Sequence, residues 1–320
     1  MYHRNYLFLQ YPDGCYTAGK PYTVEVPRPG KYKVVATLKA DSVLEKVSVY
    51  AGAGSLAFAG SIPAGLSKQA AVVHVGNHIP KGQECVCQDR TVSVTVMAEK
   101  NCLSGLYISE ISCPTIYIAG SVDLSPFQDI AGTDKPKASS SSRPKGNSSS
   151  RWAQMLAAHT NHKIAVSDCS CPGLTTESFL KKGLSAAINE YSKPGDFCFL
   201  CFDPTGHPLE AWKPGGSCRR QLARYIITCR DRFLYPVLLT PASLHPNGNT
   251  DNYAGQLWKQ CLDAYREVGT LTATPVIELH KLHVTPYDAN VTAGFAAQEI
   301  ARVCSTFPGR EYRFLAKCMR

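Results

Sequence analysis

The side chains able to do chemistry in this chain are thiols, a few histidines and some exposed aromatics. Among its 14 cysteines, Cys85/Cys87, Cys169/Cys171 and Cys198/Cys201 are close pairs that could clamp a metal or pass electrons. None of these spacings repeats as a four-cysteine zinc site does. Cys198 and Cys201 lie in an apolar run that reads as a buried strand, where residues three apart face opposite sides, so they read as small packing residues. His280 and His283 are also three apart in a strand-end segment and lack the spacing of a helical zinc pair. His207, in Gly206-His207-Pro208, reads as a loop histidine. Gly52-Ala53-Gly54 and Gly195-Asp196 are glycine-rich, but neither opens a helix as a phosphate cradle must. Trp152 reads as core. Trp212, in Glu210-Ala211-Trp212-Lys213-Pro214-Gly215-Gly216, reads as an exposed loop aromatic whose indole face could stack on a sugar. Neither a metal nor a cofactor is implied.

A chain of 320 residues with 44% hydrophobic and 18% charged residues can bury one or two sizeable cores. Bulk disorder and fibrous repeats are excluded. The cysteines are scattered and the chain is too large to need a disulfide framework, so they are expected to be mostly reduced. There are 34 basic and 25 acidic residues, a net charge of +9. The excess is spread along the chain without a basic run interleaved with aromatics, so no nucleic-acid partner is expected. No apolar run of membrane-spanning length occurs, and the start, Met1-Tyr2-His3-Arg4-Asn5-Tyr6, lacks the features of a secretory leader. A soluble, cytoplasmic protein with no membrane partner is expected.

Up to about residue 112, short alternating runs separated by turn residues predict an antiparallel β-sandwich. Tyr22–Val26, Tyr32–Leu38, Lys46–Tyr50, Ala71–Val75 and Thr91–Val96 are such runs, each with one face to bury. From Pro114 the pattern changes to apolar strands alternating with helical periodicity. Strands are expected over Thr115–Ala119, Lys163–Val166, Phe197–Phe202, Tyr235–Thr240 and Thr274–Leu279. Helices are expected over Trp152–Ala158, Thr176–Tyr191, Arg219–Phe233, Tyr253–Glu267 and Ala293–Ser305. Such alternation predicts a parallel sheet covered by helices on both sides, with ligands at the carboxyl ends of its strands. The chain is therefore divided into residues 1–112 and 113–320. Residues 131–150, rich in serine and lysine, have little to bury and are expected to form a mobile loop, a lid or insertion within the second unit, with a domain linker as the alternative.

Several stretches, in order, resemble the SGNH (GDSL-type) hydrolases, and specifically the branch of rhamnogalacturonan acetylesterases. Ile116-Tyr117-Ile118-Ala119-Gly120 is similar to the strand that leads into the nucleophile, and Trp152-Ala153-Gln154-Met155-Leu156 to the helix after it. Cys171-Pro172-Gly173-Leu174-Thr175-Thr176-Glu177-Ser178-Phe179 resembles the second conserved block of that family, with Gly173 at its glycine. Lys193-Pro194-Gly195-Asp196 resembles the approach to the third. Pro236–Pro241 and Pro275–Leu279 resemble two later strands. The resemblance covers essentially the whole chain and implies a flavodoxin-like α/β/α domain behind a carbohydrate-binding-like β-sandwich. It also implies an esterase ancestry and a glycan or acetylated polysaccharide as partner.

Set against that family, the catalytic positions depart from the pattern. The family's Gly-Asp-Ser corresponds to Gly120-Ser121-Val122, which puts valine at the nucleophile unless one residue is deleted, restoring Ser121. The family's Asp-x-x-His corresponds to Asp288-Ala289-Asn290-Val291, in which Asp288 survives and the histidine does not. The Gly-x-Asn-Asp block corresponds to Asp203-Pro204-Thr205-Gly206. Proline has no amide hydrogen, Thr205 stands for the asparagine, and Asp203 would set negative charge where an oxyanion must form. Losing the serine or histidine of a triad costs about 10⁶ in turnover, while an intact oxyanion hole and cleft retain about 10³ to 10⁴ over water. The expected function is thus an SGNH-like protein that binds a glycan or other partner without triad hydrolysis. The alternative is a carbohydrate acetylesterase using Ser121 and Asp288 with His207 as a displaced base.

Overall fold

The computed structural model describes residues 6–10, 18–52, 55–78, 87–88, 90–120, 152–170, 174–181, 184–202, 204, 207–241, 253–281 and 289–319. Among the described residues the regular elements of the first part of the chain are all strands: β1 (Tyr6–Gln10), β2 (Tyr22–Glu25), β3 (Gly30–Ala40), β4 (Leu44–Ala51), β5 (Ser55–Ile62), β6 (Gly65–Val75), β7 (Asn77–His78), β8 (Cys87–Gln88), β9 (Thr91–Met97) and β10 (Leu103–Glu110). Antiparallel β1-β10-β3-β6 face a second sheet, β2-β9-β4-β5. Alternation decides which side chains meet between them. In β3, Tyr32, Val34, Ala36, Leu38 and Ala40 are buried while Lys33 and Lys39 face outward. Val92, Val94 and Val96 of β9 come from the other sheet into the same core.

The second part alternates. Its strands are β11 (Thr115–Gly120), β12 (Ala165–Ser170), β13 (Phe197–Cys201), β14 (Tyr235–Leu239) and β15 (Val276–Ile277). Between and after them run α1 (Trp152–Met155) with a 3₁₀ turn at Leu156–His159, α2 (Thr176–Lys181), α3 (Leu184–Tyr191), α4 (Leu209–Trp212), α5 (Ser217–Asp231), α6 (Tyr253–Leu271), α7 (Ala289–Thr306) and α8 (Arg310–Cys318). The parallel order β12-β11-β13-β14-β15 is the flavodoxin-like one, with its switch point between β11 and β13. Every residue of β11 and β13 is buried, because helices cover both faces. α1, α7 and α8 pack on the face bearing Ile116, Ile118 and Phe199. Helices α2 to α6 pack on the face bearing Tyr117, Ala119 and Leu200. Cys198 joins the second cluster and Cys201 the first, the opposite orientations expected of residues three apart. No helix among the described residues is long and apolar enough to cross a membrane.

Some boundaries differ from the pattern-based ones. The second parallel strand is Ala165–Ser170 rather than Lys163–Val166, its polar outer half having hidden it. The expected Thr176–Tyr191 helix is two helices, α2 and α3, and the last strand shrinks to Val276–Ile277. The expected loop at 131–150 lies outside the described residues.

Hydrogen bonding crosses residue 112. β6 pairs in parallel with β12 through Val73 and Val166, so four antiparallel and five parallel strands form one nine-stranded sheet. At this seam Lys31 Nζ, from β3, donates to the Cys113 carbonyl at 2.6 Å and to Asp196 Oδ1 at 3.2 Å. Asp196 Oδ1 also accepts the Thr115 amide at 2.7 Å, and Oδ2 accepts the Lys193 amide at 2.8 Å. One carboxylate thus holds the first strand of the sandwich sheet's centre, the start of β11 and the turn into β13. The pair is almost dry, with side chains 11% and 2% exposed.

Nearby, His74 pairs with Lys31 across β3 and β6. Its Nδ1 meets the Ser167 hydroxyl at 3.2 Å, and its ring packs edge-on against Tyr117 and Tyr191. Desolvation first, and the Lys31 charge second, push its pKa down to about 4.

Two measurements test this seam. Asp196→Ala should lower the unfolding free energy by about 3–5 kcal/mol in urea denaturation, because Lys31 is left buried and unpaired; a loss below about 1 kcal/mol would place the pair with weak surface bridges. The second uses pH. His74 is neutral in the folded state down to about 4, whereas unfolded it protonates near 6.5. Its contribution is fully present above 6.5 and is lost as pH falls toward 4, up to about 3 kcal/mol. His74→Phe should flatten the stability slope across that window relative to the parent; an unchanged slope contradicts the assignment.

Candidate active site

In a doubly wound sheet the crevice lies beyond the carboxyl ends of the strands at the switch point. Here that edge is formed by Gly120, Ser170 and Cys201, which lie in register on β11, β12 and β13. Gly120 has φ +124°, and a Cβ there would sit 1.8 Å from the Cys201 carbonyl oxygen. Only glycine lets β11 leave the sheet so close to β13. Ser121 follows it in sequence and lies outside the described residues, as do Gly173, Asp203, Thr205 and Asp288.

The loop after β13 is held from behind. The Phe202 amide donates to the Tyr265 hydroxyl of α6 at 2.6 Å, and that hydroxyl donates to the Phe202 carbonyl at 3.1 Å. Burial pushes the Tyr265 phenol well up, which keeps it a neutral hydroxyl able to do both. Pro204 offers no amide hydrogen, and its carbonyl accepts the His207 amide at 3.0 Å.

His207 does not stand free at the rim. Its Nε2 accepts the Thr176 amide at 3.2 Å, which puts the ring proton of the neutral form on Nδ1. Thr176 opens α2, whose start is closed by a reciprocal cap. The Thr175 amide donates to Ser178 Oγ at 2.8 Å, and the Ser178 amide to Thr175 Oγ1 at 2.9 Å. From α5, Tyr225 donates its hydroxyl to the Thr176 carbonyl, and the Thr176 hydroxyl donates to Gln221. His207 is one more acceptor in this fastening of α2.

Trp212 corrects the sequence reading. It is 0% exposed, stacked on Tyr265 at 6.2 Å and 21°, with the His207 ring edge-on at 5.5 Å. The segment Leu209–Trp212 is a helical turn, α4, rather than an open loop, and it drives the indole between α5 and α6. No sugar can stack on that ring in this structure.

Pattern reasoning missed Asp168 and His159 and set His280 aside. Asp168, on β12, accepts the Ser170 amide at 3.0 Å and the Ser170 hydroxyl on Oδ1, setting a carboxylate beside the edge where Gly120 ends. The two-residue spacing was a visible signal once the strand is placed correctly. His280 Nδ1 lies 3.0 Å from the buried Thr240 hydroxyl at the ends of β14 and β15. His159 Nε2 lies 2.8 Å from Asn290 Oδ1 and 3.1 Å from the Asn290 carbonyl. Two oxygen acceptors make Nε2 the donor and leave Nδ1 as the basic nitrogen of the neutral ring. The ring rests on Gly294, where a Cβ would come within 3.1 Å of it. Nothing in the sequence links residue 159 to residue 290. Among the described residues no group of three or more metal-ligating side chains is assembled, and the cysteines from Cys198 to Cys318, with Cys102, Cys113 and Cys169, are free thiols.

No protein-family model matches the chain. Over 99 residues, 29% of the chain, it is 26% identical to the probable rhamnogalacturonan acetylesterase YesY of Bacillus subtilis (strain 168), covering 44% of that protein. Over 131 residues, 40% of the chain, it is 24% identical to the rhamnogalacturonan acetylesterase RhgT of the same strain, covering 55% of that protein. The chain thus spans about half the length of the curated relatives it matches. Among solved structures, Bacillus subtilis protein YXIM superposes with a TM-score of 0.45 at 17% identity, over 90% of this chain and 82% of that one. Axe2, an acetylxylan esterase from Geobacillus stearothermophilus, gives a TM-score of 0.39 at 11% identity, over 60% of this chain and 94% of that one. The sequence matches to two acetylesterases, with the mixed α/β architecture and its switch-point edge, make the chain SGNH/GDSL hydrolase-like.

Proposed function

We propose that the chain binds an acetylated polysaccharide or related glycan in the crevice of an SGNH-like fold without the triad turnover of an esterase. The observation that carries this reading is the tied-down loop after β13. The Phe202 amide is already donated to Tyr265, and His207 Nε2 already holds the Thr176 amide. A ring nitrogen so engaged does not take a serine proton, and the loop it sits on is anchored to α6 at its start. The sequence supports the same reading, with Val122, Thr205 and Val291 standing at the family's catalytic places.

A second reading, a carbohydrate acetylesterase that uses Ser121 with a displaced base, is favoured by one observation. His159 is oriented by Asn290, two residues beyond Asp288, with its Nδ1 left basic. Backed by an oriented histidine, a serine hydroxyl becomes a usable nucleophile.

Incubation with p-nitrophenyl acetate and with acetylated xylan or pectin separates the two. The first reading expects acetate release no faster than buffer, identical for Ser121→Ala, together with retention of the chain on acetylated polysaccharide beads. Turnover abolished by Ser121→Ala overturns it. Under the second reading a fluorophosphonate probe labels Ser121, and His159→Ala removes the labelling while His207→Ala does not; absence of labelling ends that reading.

A further inference from the structure

A cavity of about 440 Å³ opens at the opposite end of the parallel strands, beside Tyr235 at the start of β14. It lies between the end of α5, the end of α6 and the turn joining α7 to α8, far from the edge formed by Gly120 and Cys201. Its size falls in the range of small-molecule sites.

Two of its walls carry the same unusual backbone. α5 closes with the Phe233 amide on the Arg230 carbonyl at 2.8 Å and the Leu234 amide on the Cys229 carbonyl at 2.9 Å. α6 closes identically, with Ala273 on Thr270 at 3.2 Å and Thr274 on Gly269 at 2.8 Å. This paired closure places one residue in the left-handed region, where glycine is the unstrained choice. Here the residues are Phe233, at φ 58°, and Ala273, at φ 46°. Phe233 gains little by burial, since it is 72% exposed. A bulky aromatic is therefore held in a strained conformation at the rim of a cavity and faces water.

The rest of the lining suits that ring. Tyr312 meets Phe307 edge-on at 5.0 Å and Tyr235 at 5.9 Å, so aromatic faces as well as edges are offered. Arg230 is anchored by one guanidinium nitrogen to the Ala273 carbonyl at 2.9 Å and the Thr274 hydroxyl at 3.0 Å. Glu311 stands at the Tyr235 phenol, which burial and then this carboxylate push up. The wall thus carries one cation and one anion, both planar and both able to bind hydroxyls, around an aromatic centre. Balanced charge disfavours phosphates and free amines. It suits a neutral ring with one apolar face and a hydroxylated edge.

We propose that this cavity is a second binding site, for a neutral pyranose, with the sugar's apolar face on Phe233 and Phe307 and its hydroxyls on Arg230 and Glu311. It is separate from the switch-point crevice and does not rest on the function proposed for that crevice.

Calorimetric titration of the full chain with xylotetraose and cellotetraose tests it, with choline and inorganic phosphate titrated alongside. One or both oligosaccharides should bind, and Phe233→Gly should weaken binding at least tenfold while raising Tm, because glycine relieves the strained backbone. Glu311→Ala should weaken binding similarly, which places the binding at this cavity rather than in the crevice. Equal affinity in Phe233→Gly, binding of choline or phosphate in preference, or failure of both oligosaccharides to bind overturns the proposal.

Discussion

The buried contact between Lys31 and Asp196 is the constraint on which the rest of the molecule depends. Taking two charges out of water is unfavourable unless each is fully hydrogen-bonded. Here the lysine also reaches the Cys113 carbonyl, and the aspartate also accepts the amides of Thr115 and Lys193. Three chain segments therefore have to meet at one point. Without the carboxylate, β11 and β13 would lose the shared reference that sets their register, and with it the approach of Gly120 to Cys201. The ion pair sits at the near end of the strands whose far ends, Gly120 and Cys201, form the edge.

The site itself shows a competition between fastening and chemistry. In the hydrolases this chain resembles, the loop after the third parallel strand presents oxyanion donors to substrate. In this chain the same loop is bound inward: to Tyr265 through Phe202, to Thr176 through His207, and to the core through Trp212. Those contacts fasten α2, α4 and α6 to the loop. Two further contacts, Asp168 with Ser170 at the edge and His159 with Asn290 at the start of α7, were not foreseen from the sequence.

Much of the architecture was legible because burial writes a period into sequence. Val92, Val94 and Val96 alternate since only one face of β9 is covered. Phe197–Cys201 is unbroken because both faces of β13 are. α7 was readable from Ala293, Ala296, Ala297 and Ile300 on one face. Where the period fails, so did the reading. β12 carries Ser167, Asp168 and Ser170 because it abuts His74 and the open edge, so only its first two residues looked like a strand. α8 was not foreseen, its nine residues being mostly polar. Trp212 was misjudged because glycines and prolines around it suggested an open loop, while its burial depends on α5 and α6, which are remote in sequence. The pairing of His159 with Asn290 and of Val73 with Val166 is likewise a property of three-dimensional closure that no local window carries.

The continuous sheet has a mechanical consequence. Where two modules are joined by a linker they rock against each other, and a polymer gripped by both can vary its path. Here the backbone ladder passes from β6 into β12, stiffened by Lys31, Asp196 and His74. The sandwich and the parallel strands are thus tied by backbone pairing and a buried charge contact rather than by a linker alone, so a chain molecule touching both would meet a spacing set at that junction.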